Sequence, residues 1–156
     1  MIKTTLCYIE KDDSYLMLHR TKKKNDINSG KWIGIGGKFM PDESAEECLI
    51  REAKEETGLT LTDYELKGIV KFVSDIYEDE EMYLYLSKGF EGNITECNEG
   101  DLKWIKKKDI LSLPLWEGDK IFLKFLFENQ PYFDLTLIYK DDKLVSYKKD
   151  GEIIKI

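Results

Sequence analysis

The chain has 156 residues, enough for one domain with a real core and too few for two ordinary domains. Apolar residues make up 42% and charged residues 35%, and no apolar run approaches the roughly 20 residues that span a bilayer, which argues against a membrane protein. The net charge of -7 disfavours nucleic acid as a partner, but it leaves a small anionic substrate open because a divalent cation can reverse the local field.

We expect a cytoplasmic protein by default, with reduced cysteines. Residues 1–10 alternate apolar and polar side chains like a strand, without the basic and then apolar layout of a signal peptide. The three cysteines, Cys7, Cys48 and Cys97, are scattered and form no C-x-x-C pair. We therefore expect reduced, buried thiols, with neither a zinc site nor a disulfide.

The pattern of elements predicts a mixed sheet with helices on its faces. Alternation and turn signals predict strands at residues 3–9, 15–20, 66–74, 82–87, 102–105, 133–139 and 144–148, and a short stretch at residues 32–35 leads into Gly36 and Gly37. Helices are predicted at residues 44–57 and 117–128, and a polar loop at residues 22–31. Strands that do not alternate regularly with helices favour a mixed, partly antiparallel sheet.

The helix at residues 44–57 has clear signals at both ends. Ser44 and Glu47 have the spacing of a capping box, in which each side chain satisfies a free backbone N–H of the first turn. Gly58 lies where a left-handed residue ends a helix.

Three glutamates of this helix indicate a cation site. Glu52, Glu55 and Glu56 are three or four positions apart and share the side on which the apolar Cys48 and Leu49 lie. A solvated acidic face would lie opposite the apolar stripe. Like charges on a partly buried face raise one another's pKa values, so this arrangement is favourable only with a cation among them.

Oxygen ligands favour a hard ion, so Mg²⁺ is the predicted cofactor, with Mn²⁺ able to replace it. Arg51 can orient one carboxylate through a bidentate pair. Gly36 and Gly37 allow the backbone to approach a metal or a phosphate closely. The combination predicts metal-assisted phosphate chemistry, with a spare carboxylate as general base. The single histidine, His19, has no motif around it, so we expect a structural role for it.

These residues resemble the signature of a known family. Gly37, Glu43 and the run from Arg51 to Leu59 are spaced as in the Nudix box, although Ala53 stands where that family usually has a larger aliphatic residue. The resemblance implies one Nudix domain over residues 1–156, with an α/β/α sandwich fold.

Within that family, the resemblance implies roles for particular residues. The positions implied for metal binding are Gly36, Glu52, Glu55, Glu56 and Glu99, and those implied for catalysis are Arg51, Glu52, Glu55, Glu56 and Glu99. The general base is one of the box glutamates or an acid from a later loop. Glu99 is the candidate for that later acid, with an exposed loop acid as the alternative.

The chain is also similar to the MutT-like branch, which removes oxidised purine nucleoside triphosphates. The similarity rests on residues 30–38, on residues 113–119 and on the C-terminal hairpin. The positions implied for substrate binding are Lys23, Ile33, Gly37, Lys38, Phe72, Trp116 and Asp119. Trp116 would stack on the base, and Asp119 would read its edge.

Several of these assignments have alternatives. Gly118 replaces one acid of the acidic pair found in that branch, and Ile33 replaces an asparagine that reads the base, so a preference for 8-oxoguanine does not follow directly. Lys22 or Lys24 could act in place of Lys23, and Phe72 could be an ordinary core residue.

The expected activity is Mg²⁺-dependent hydrolysis of a nucleoside triphosphate, with 8-oxo-dGTP favoured, to the monophosphate and pyrophosphate. Such an enzyme would sanitise the nucleotide pool and so contribute to DNA repair. The alternatives are another nucleotide diphosphate, such as a different dNTP, a nucleotide sugar or a dinucleotide, and a non-catalytic nucleotide sensor. No nucleic-acid or membrane partner is expected, and the chain is expected to be a monomer or a weak homodimer.

Overall fold

The structure, a computed structural model, describes all 156 residues. The strands are β1 (Ile2–Lys11), β2 (Ser14–Arg20), β3 (Trp32–Ile33), β4 (Ile35–Lys38), β5 (Thr60–Ser74), β6 (Glu80–Glu91), β7 (Gly100–Lys106), β8 (Phe133–Lys140), β9 (Lys143–Lys149) and β10 (Glu152–Lys155). The helices are α1 (Ala45–Thr57), α2 (Lys107–Ile110) and α3 (Glu117–Phe127).

The main sheet is mixed, as predicted. Its strand order is β10-β9-β8-β5-β6-β1, and β4 continues it along the other side of β1. The β1–β6 and β5–β8 pairs are parallel, whereas the other neighbours in this sheet are antiparallel. A smaller sheet, β3-β2-β7, joins the first through the end of β1.

The two faces of the main sheet carry separate cores because side chains alternate along each strand. In β1, Leu6 and Tyr8 face α3 and pack in a cluster with Phe122. Cys7 and Ile9 face α1 and pack in a second cluster, which includes Leu49. A helix on each side of a mixed sheet confirms the predicted fold class. No helix of the structure has both the length and the apolarity needed to cross a bilayer.

Three predicted element boundaries were wrong. Strand β5 begins at Thr60, not residue 66, and β6 extends over Glu80–Glu91, not residues 82–87. The additional residues are mostly polar, and β-bulges interrupt the pairing of β5 with β6, so the alternating pattern is weak there. The strands β3, β4 and β10 and the helix α2 were not predicted, because each has four residues or fewer.

The other element predictions were close to the structure. Helix α1 follows the N-cap residue Ser44, and α3 ends one residue before the predicted boundary. The three cysteines are free and buried. His19 stacks on Trp32 with ring centroids 4.4 Å apart, and its side chain also contacts the carbonyl oxygen of Gly30.

Candidate active site

The capping residues of α1 fix where its glutamates lie. Ser44 Oγ accepts a hydrogen bond from the Glu47 N–H (3.1 Å), and the Ser44 N–H donates to the Glu47 carboxylate (2.9 Å). At the other end Gly58 adopts a left-handed conformation (φ 82°), and its N–H donates to the Lys54 carbonyl. Because the buried Leu49 and Ala53 anchor the helix, Glu52 and Glu56 face strand β4.

Strand β4 meets the helix through two glycines. A Cβ on Gly36 would lie 1.9 Å from the Thr5 carbonyl oxygen, so no side chain fits at this position. A Cβ on Gly37 would lie 2.6 Å from Cδ of Glu52, so the absence of a side chain leaves space for that carboxylate. The Gly36 N–H donates to Glu56 Oε2 at 2.9 Å. The glycine pair therefore makes room for one box glutamate and holds another.

Arg51 contacts three of the acids. Its Nε and Nη2 donate to both oxygens of Glu43, at 2.7 and 2.9 Å. Its Nη1 donates to Glu52 at 2.7 Å and to Glu55 at 3.1 Å. Bonding to the Arg51 guanidinium lowers the pKa of Glu43 to about 2. The guanidinium thus orients Glu52 and Glu55 while a firmly ionised Glu43 holds it in place.

Glu56 is the most buried of the box acids. Burial, together with the charges of Glu52 and Glu99, raises the pKa of Glu56 to about 9. Burial also raises the pKa of Glu52, although hydrogen bonding to Arg51 opposes this effect. These acids repel one another and offer hard oxygen donors, so their chemistry, rather than their present arrangement, suits a divalent cation.

The acids are, however, held by protein donors. Glu52 and Glu55 share Arg51, Glu56 accepts from Gly36, and no group of three His, Cys, Asp or Glu side chains has the geometry to hold a metal ion. Glu55 is mostly exposed, at 55% of its side-chain area, whereas Glu52 is largely covered.

Glu99 reaches the site from the loop before β7. It lines the same cleft as Glu52, Gly36 and Gly37. Arg20 Nη1 donates to its Oε2 at 3.0 Å, and the Lys23 ammonium lies 3.9 Å from its Oε1. Lys22 instead pairs with Glu96 and Asp101. The structure thus brings Glu99 and Lys23, but not Lys22 or Lys24, to the cleft.

The cleft is large enough for a nucleotide. Its volume is about 670 Å³, within the range typical of small-molecule sites. One end is lined by Glu52 and Glu99, whereas Glu55 and Glu56 lie outside the cleft wall, and the other end extends over the α3 face of the main sheet. All seven residues predicted to bind substrate line this single cleft: Lys23, Ile33, Gly37, Lys38, Phe72, Trp116 and Asp119.

Trp116 forms a wall of the far end. Its Nε1 donates to the Asn28 side chain at 2.7 Å, the Lys31 ammonium lies 4.7 Å from its ring centroid, and Tyr139 packs against it nearly perpendicularly. These contacts fix the ring between the loop at residues 22–31 and the sheet.

Asp119, in the first turn of α3, is 5% exposed, yet its carboxyl lines the cleft. Burial, together with the charge of Glu80, raises the pKa of Asp119 to about 7. At the preceding position, a Cβ on Gly118 would lie 2.6 Å from Leu137 and 2.7 Å from the Tyr139 hydroxyl. A side chain at residue 118 would therefore have to displace the ends of the Leu137 and Tyr139 side chains.

Sequence reasoning missed several cleft residues. Arg20 links two loops through Asp26 and Glu99, and Thr4 and Glu80 form part of the far end. Glu80 could have been found by extending the alternation of Met82, Leu84 and Leu86 back by two residues, which places Glu80 on their face. Arg20 gave no such signal, because only the fold brings its partners together.

Comparisons with known proteins agree with this geometry. A NUDIX domain model matches residues 2–126. The uncharacterised Nudix hydrolase YvcI of Bacillus subtilis (strain 168) is 31% identical over 98% of this chain and 97% of its own length. An oxidised purine nucleoside triphosphate hydrolase of Danio rerio is 28% identical over 82% of this chain and 83% of its own length.

A crystal structure of a mutator MutT protein from Bacillus halodurans superposes with a TM-score of 0.87 at 32% identity, covering 97% of this chain and 99% of that one. The family model and these relatives each extend over most of the chain, and Gly37 and Glu52 of the box line a nucleotide-sized cleft. The chain therefore belongs to the Nudix hydrolases, enzymes that act on phosphoric anhydrides.

Proposed function

We propose that this protein is a Mg²⁺-dependent nucleoside triphosphate pyrophosphohydrolase that favours 8-oxo-dGTP and releases the monophosphate and pyrophosphate. The observation that carries the proposal is one cleft with acids at one end and an aromatic compartment at the other. Glu52 and Glu99 line the first end, and Phe72, Trp116 and Asp119 the second. The first end suits the triphosphate of a nucleotide, and the second end suits its base.

The residues that would hold Mg²⁺, or Mn²⁺ in its place, are Glu52, Glu55, Glu56 and Glu99 with the backbone of Gly36. When bound, the cation supplies positive charge that attracts the triphosphate and stabilises the charge that develops during cleavage. Family membership supports a divalent cation, because Nudix hydrolases generally use one.

The remaining steps use the side chains of the chain itself. A carboxylate, Glu99 or a box glutamate, accepts the proton of the water that attacks phosphorus. Arg51 keeps Glu52 and Glu55 in place through the contacts described above. Lys23 and Lys38 line the cleft and offset phosphate charge.

Trp116 stacks on the nucleotide base, and Asp119 hydrogen-bonds the edge of the base. Phe72 and Ile33 form apolar walls beside it. The Danio rerio relative, named as an oxidised purine nucleoside triphosphate hydrolase, supports an oxidised purine nucleotide as substrate. Ile33 and Gly118 favour the second candidate, a Nudix hydrolase of another nucleotide diphosphate. Neither residue has a side-chain group that can hydrogen-bond the edge of a base. A sensor without catalysis is less favoured because all the box glutamates are present.

The test is a panel of nucleotides with saturating Mg²⁺, comparing 8-oxo-dGTP with dGTP, dATP, dCTP and dTTP. The proposal expects pyrophosphate release, highest kcat/KM for 8-oxo-dGTP, and loss of at least about 100-fold in kcat for Glu55→Gln and Glu56→Gln. Glu46→Gln is the matched control, since Glu46 is on the same helix and its carboxylate contacts only Tyr64.

Full activity of both box variants would refute the assignment of the acids. A flat profile across the panel would favour the second candidate, and no pyrophosphate from any nucleotide would favour the sensor.

A further inference from the structure

Glu80 lies at the far end of the cleft, where no role has been assigned to it. It is the first residue of β6 and pairs with Phe72 of β5, so both side chains are on the face that α3 covers. Its Oε2 accepts a hydrogen bond of 2.7 Å from the Thr4 hydroxyl, which leaves its other oxygen without a partner in the protein. Burial raises the pKa of Glu80.

Asp119 shares that compartment and lacks a partner of its own. It is 5% exposed, it lines the cleft, and none of the side-chain hydrogen bonds of the structure involves it. Its carboxyl oxygens are accessible from the cleft, so they are free to hydrogen-bond a ligand. Glu80 and Asp119 both line this cleft, and the charge of Glu80 contributes to the raised pKa of Asp119.

The other acids that line the cleft are less suited to be a second acceptor. Asp26 is paired with Arg20, and Glu78 and Asp141 are exposed. Glu80 is therefore the remaining partly buried acid without an ion pair at this end of the cleft.

We propose that Glu80 contacts the substrate base and, with Asp119, determines which base the enzyme accepts. This inference rests on the proposed function and deepens it.

Two carboxyls that line one compartment suit a base edge with adjacent N–H donors, and guanine-type bases present them as the N1–H and the 2-amino group. Thymine places a carbonyl on each side of its single N–H, and cytosine and adenine place an unprotonated ring nitrogen beside the amino group. Oxidation at the 8-position leaves the guanine edge unchanged, so dGTP and 8-oxo-dGTP would share this contact.

The test variant is Glu80→Gln. The amide oxygen can keep the Thr4 hydrogen bond, and the amide N–H₂ then faces the base, where it opposes donors. The matched control is Glu81→Gln, because Glu81 is the next residue, faces the opposite side of the sheet, and accepts a hydrogen bond from Tyr83.

Three substrates separate recognition from structure: dGTP, dTTP and base-free deoxyribose 5′-triphosphate. Glu80→Gln is expected to lower kcat/KM for dGTP about tenfold or more, mainly through KM, while the values for dTTP and the base-free triphosphate stay within about twofold. Equal losses with all three substrates, or no change with dGTP, would overturn the proposal, as would the same loss in Glu81→Gln.

Calorimetric binding of dGMP and dTMP tests the same contact without hydrolysis. Wild type should bind dGMP more tightly than dTMP, and Glu80→Gln should remove most of that difference. Preferential dGMP binding without pyrophosphate release would support Glu80 and refute the proposed function. Equal binding of the two monophosphates by wild type would refute the role of Glu80 even if triphosphates are hydrolysed.

Discussion

At the scale of single residues, Glu56 combines burial with an acidic neighbourhood. The folded protein holds it beside Glu52 and Glu99, whereas the unfolded chain leaves it in water. Its pKa therefore differs between the states, about 9 when folded against an ordinary value of 4.5. A group with a raised folded pKa destabilises the fold as pH rises from the unfolded value towards the folded one, because the unfolded chain has released a proton that the folded protein still binds.

The resulting prediction concerns pH and stability. In buffer that contains a metal chelator, the free energy of unfolding of the wild-type protein should fall as the pH rises from about 6.5 to about 8.5. Relative to the Glu56→Gln variant, the expected fall is about 1.4 kcal/mol per pH unit. Glutamine keeps the hydrogen bond from Gly36 but does not ionise. Urea unfolding of both proteins at the two pH values measures the difference, and parallel behaviour of the two would contradict the prediction.

Single residues also differ in how far the sequence alone predicts their place in the site. The box acids could be assigned because their spacing within one helix fixes their side. Alternation could have placed Glu80 on its face of the sheet, but not beside Thr4, and Arg20 could not be assigned because its partner Glu99 is distant in sequence. Proximity of this kind depends on strand register, which one sequence does not reveal.

At the scale of elements, α1 was predicted almost to the residue because its signals are local. The reciprocal bonds of Ser44 and Glu47 and the left-handed Gly58 involve residues at most four positions apart. Strands β5 and β6 were predicted too short because their outer halves have polar side chains and are held by pairing with each other. Local chemistry determines the ends of this helix, whereas tertiary pairing determines the ends of those strands.

The capping box gives a prediction at this scale. Ser44→Ala removes the acceptor of the Glu47 N–H and should lower the free energy of unfolding by about 1 kcal/mol. Glu47→Gln is the control, because its amide oxygen can still accept from the Ser44 N–H, and it should cost much less. Denaturant unfolding measures both, and an equal loss would show that the Glu47 charge, rather than the reciprocal bonds, stabilises the first turn.

At the scale of the whole molecule, the C-terminal strands differ in their importance. Strand β10 pairs only with β9, and Ile153 within it is 62% exposed. Strand β9 pairs with β8. Its Leu144 is part of the core beneath α3, and its Tyr147 packs against that core. Removing β10 therefore uncovers little apolar area, whereas removing β9 uncovers part of that core.

We expect truncation after Asp150 to cost less than about 1 kcal/mol and to leave catalysis unchanged. Truncation after Asp141 should destabilise the protein severely. Thermal unfolding and pyrophosphate release measure both forms, and a large loss from the shorter truncation would show that β10 stabilises more than its burial indicates.

The parallel pairing of β1 with β6 has a consequence for synthesis on the ribosome. Ile2 pairs with Glu80 and Ile9 with Ser87, so β1 has no parallel partner until β6 has emerged. At translation rates of roughly 5–20 residues per second, that interval lasts about 4 to 16 seconds. During this time the β6 side of the apolar β1 is an open edge in the nascent chain, and a chaperone that binds β1 would be most useful in this interval.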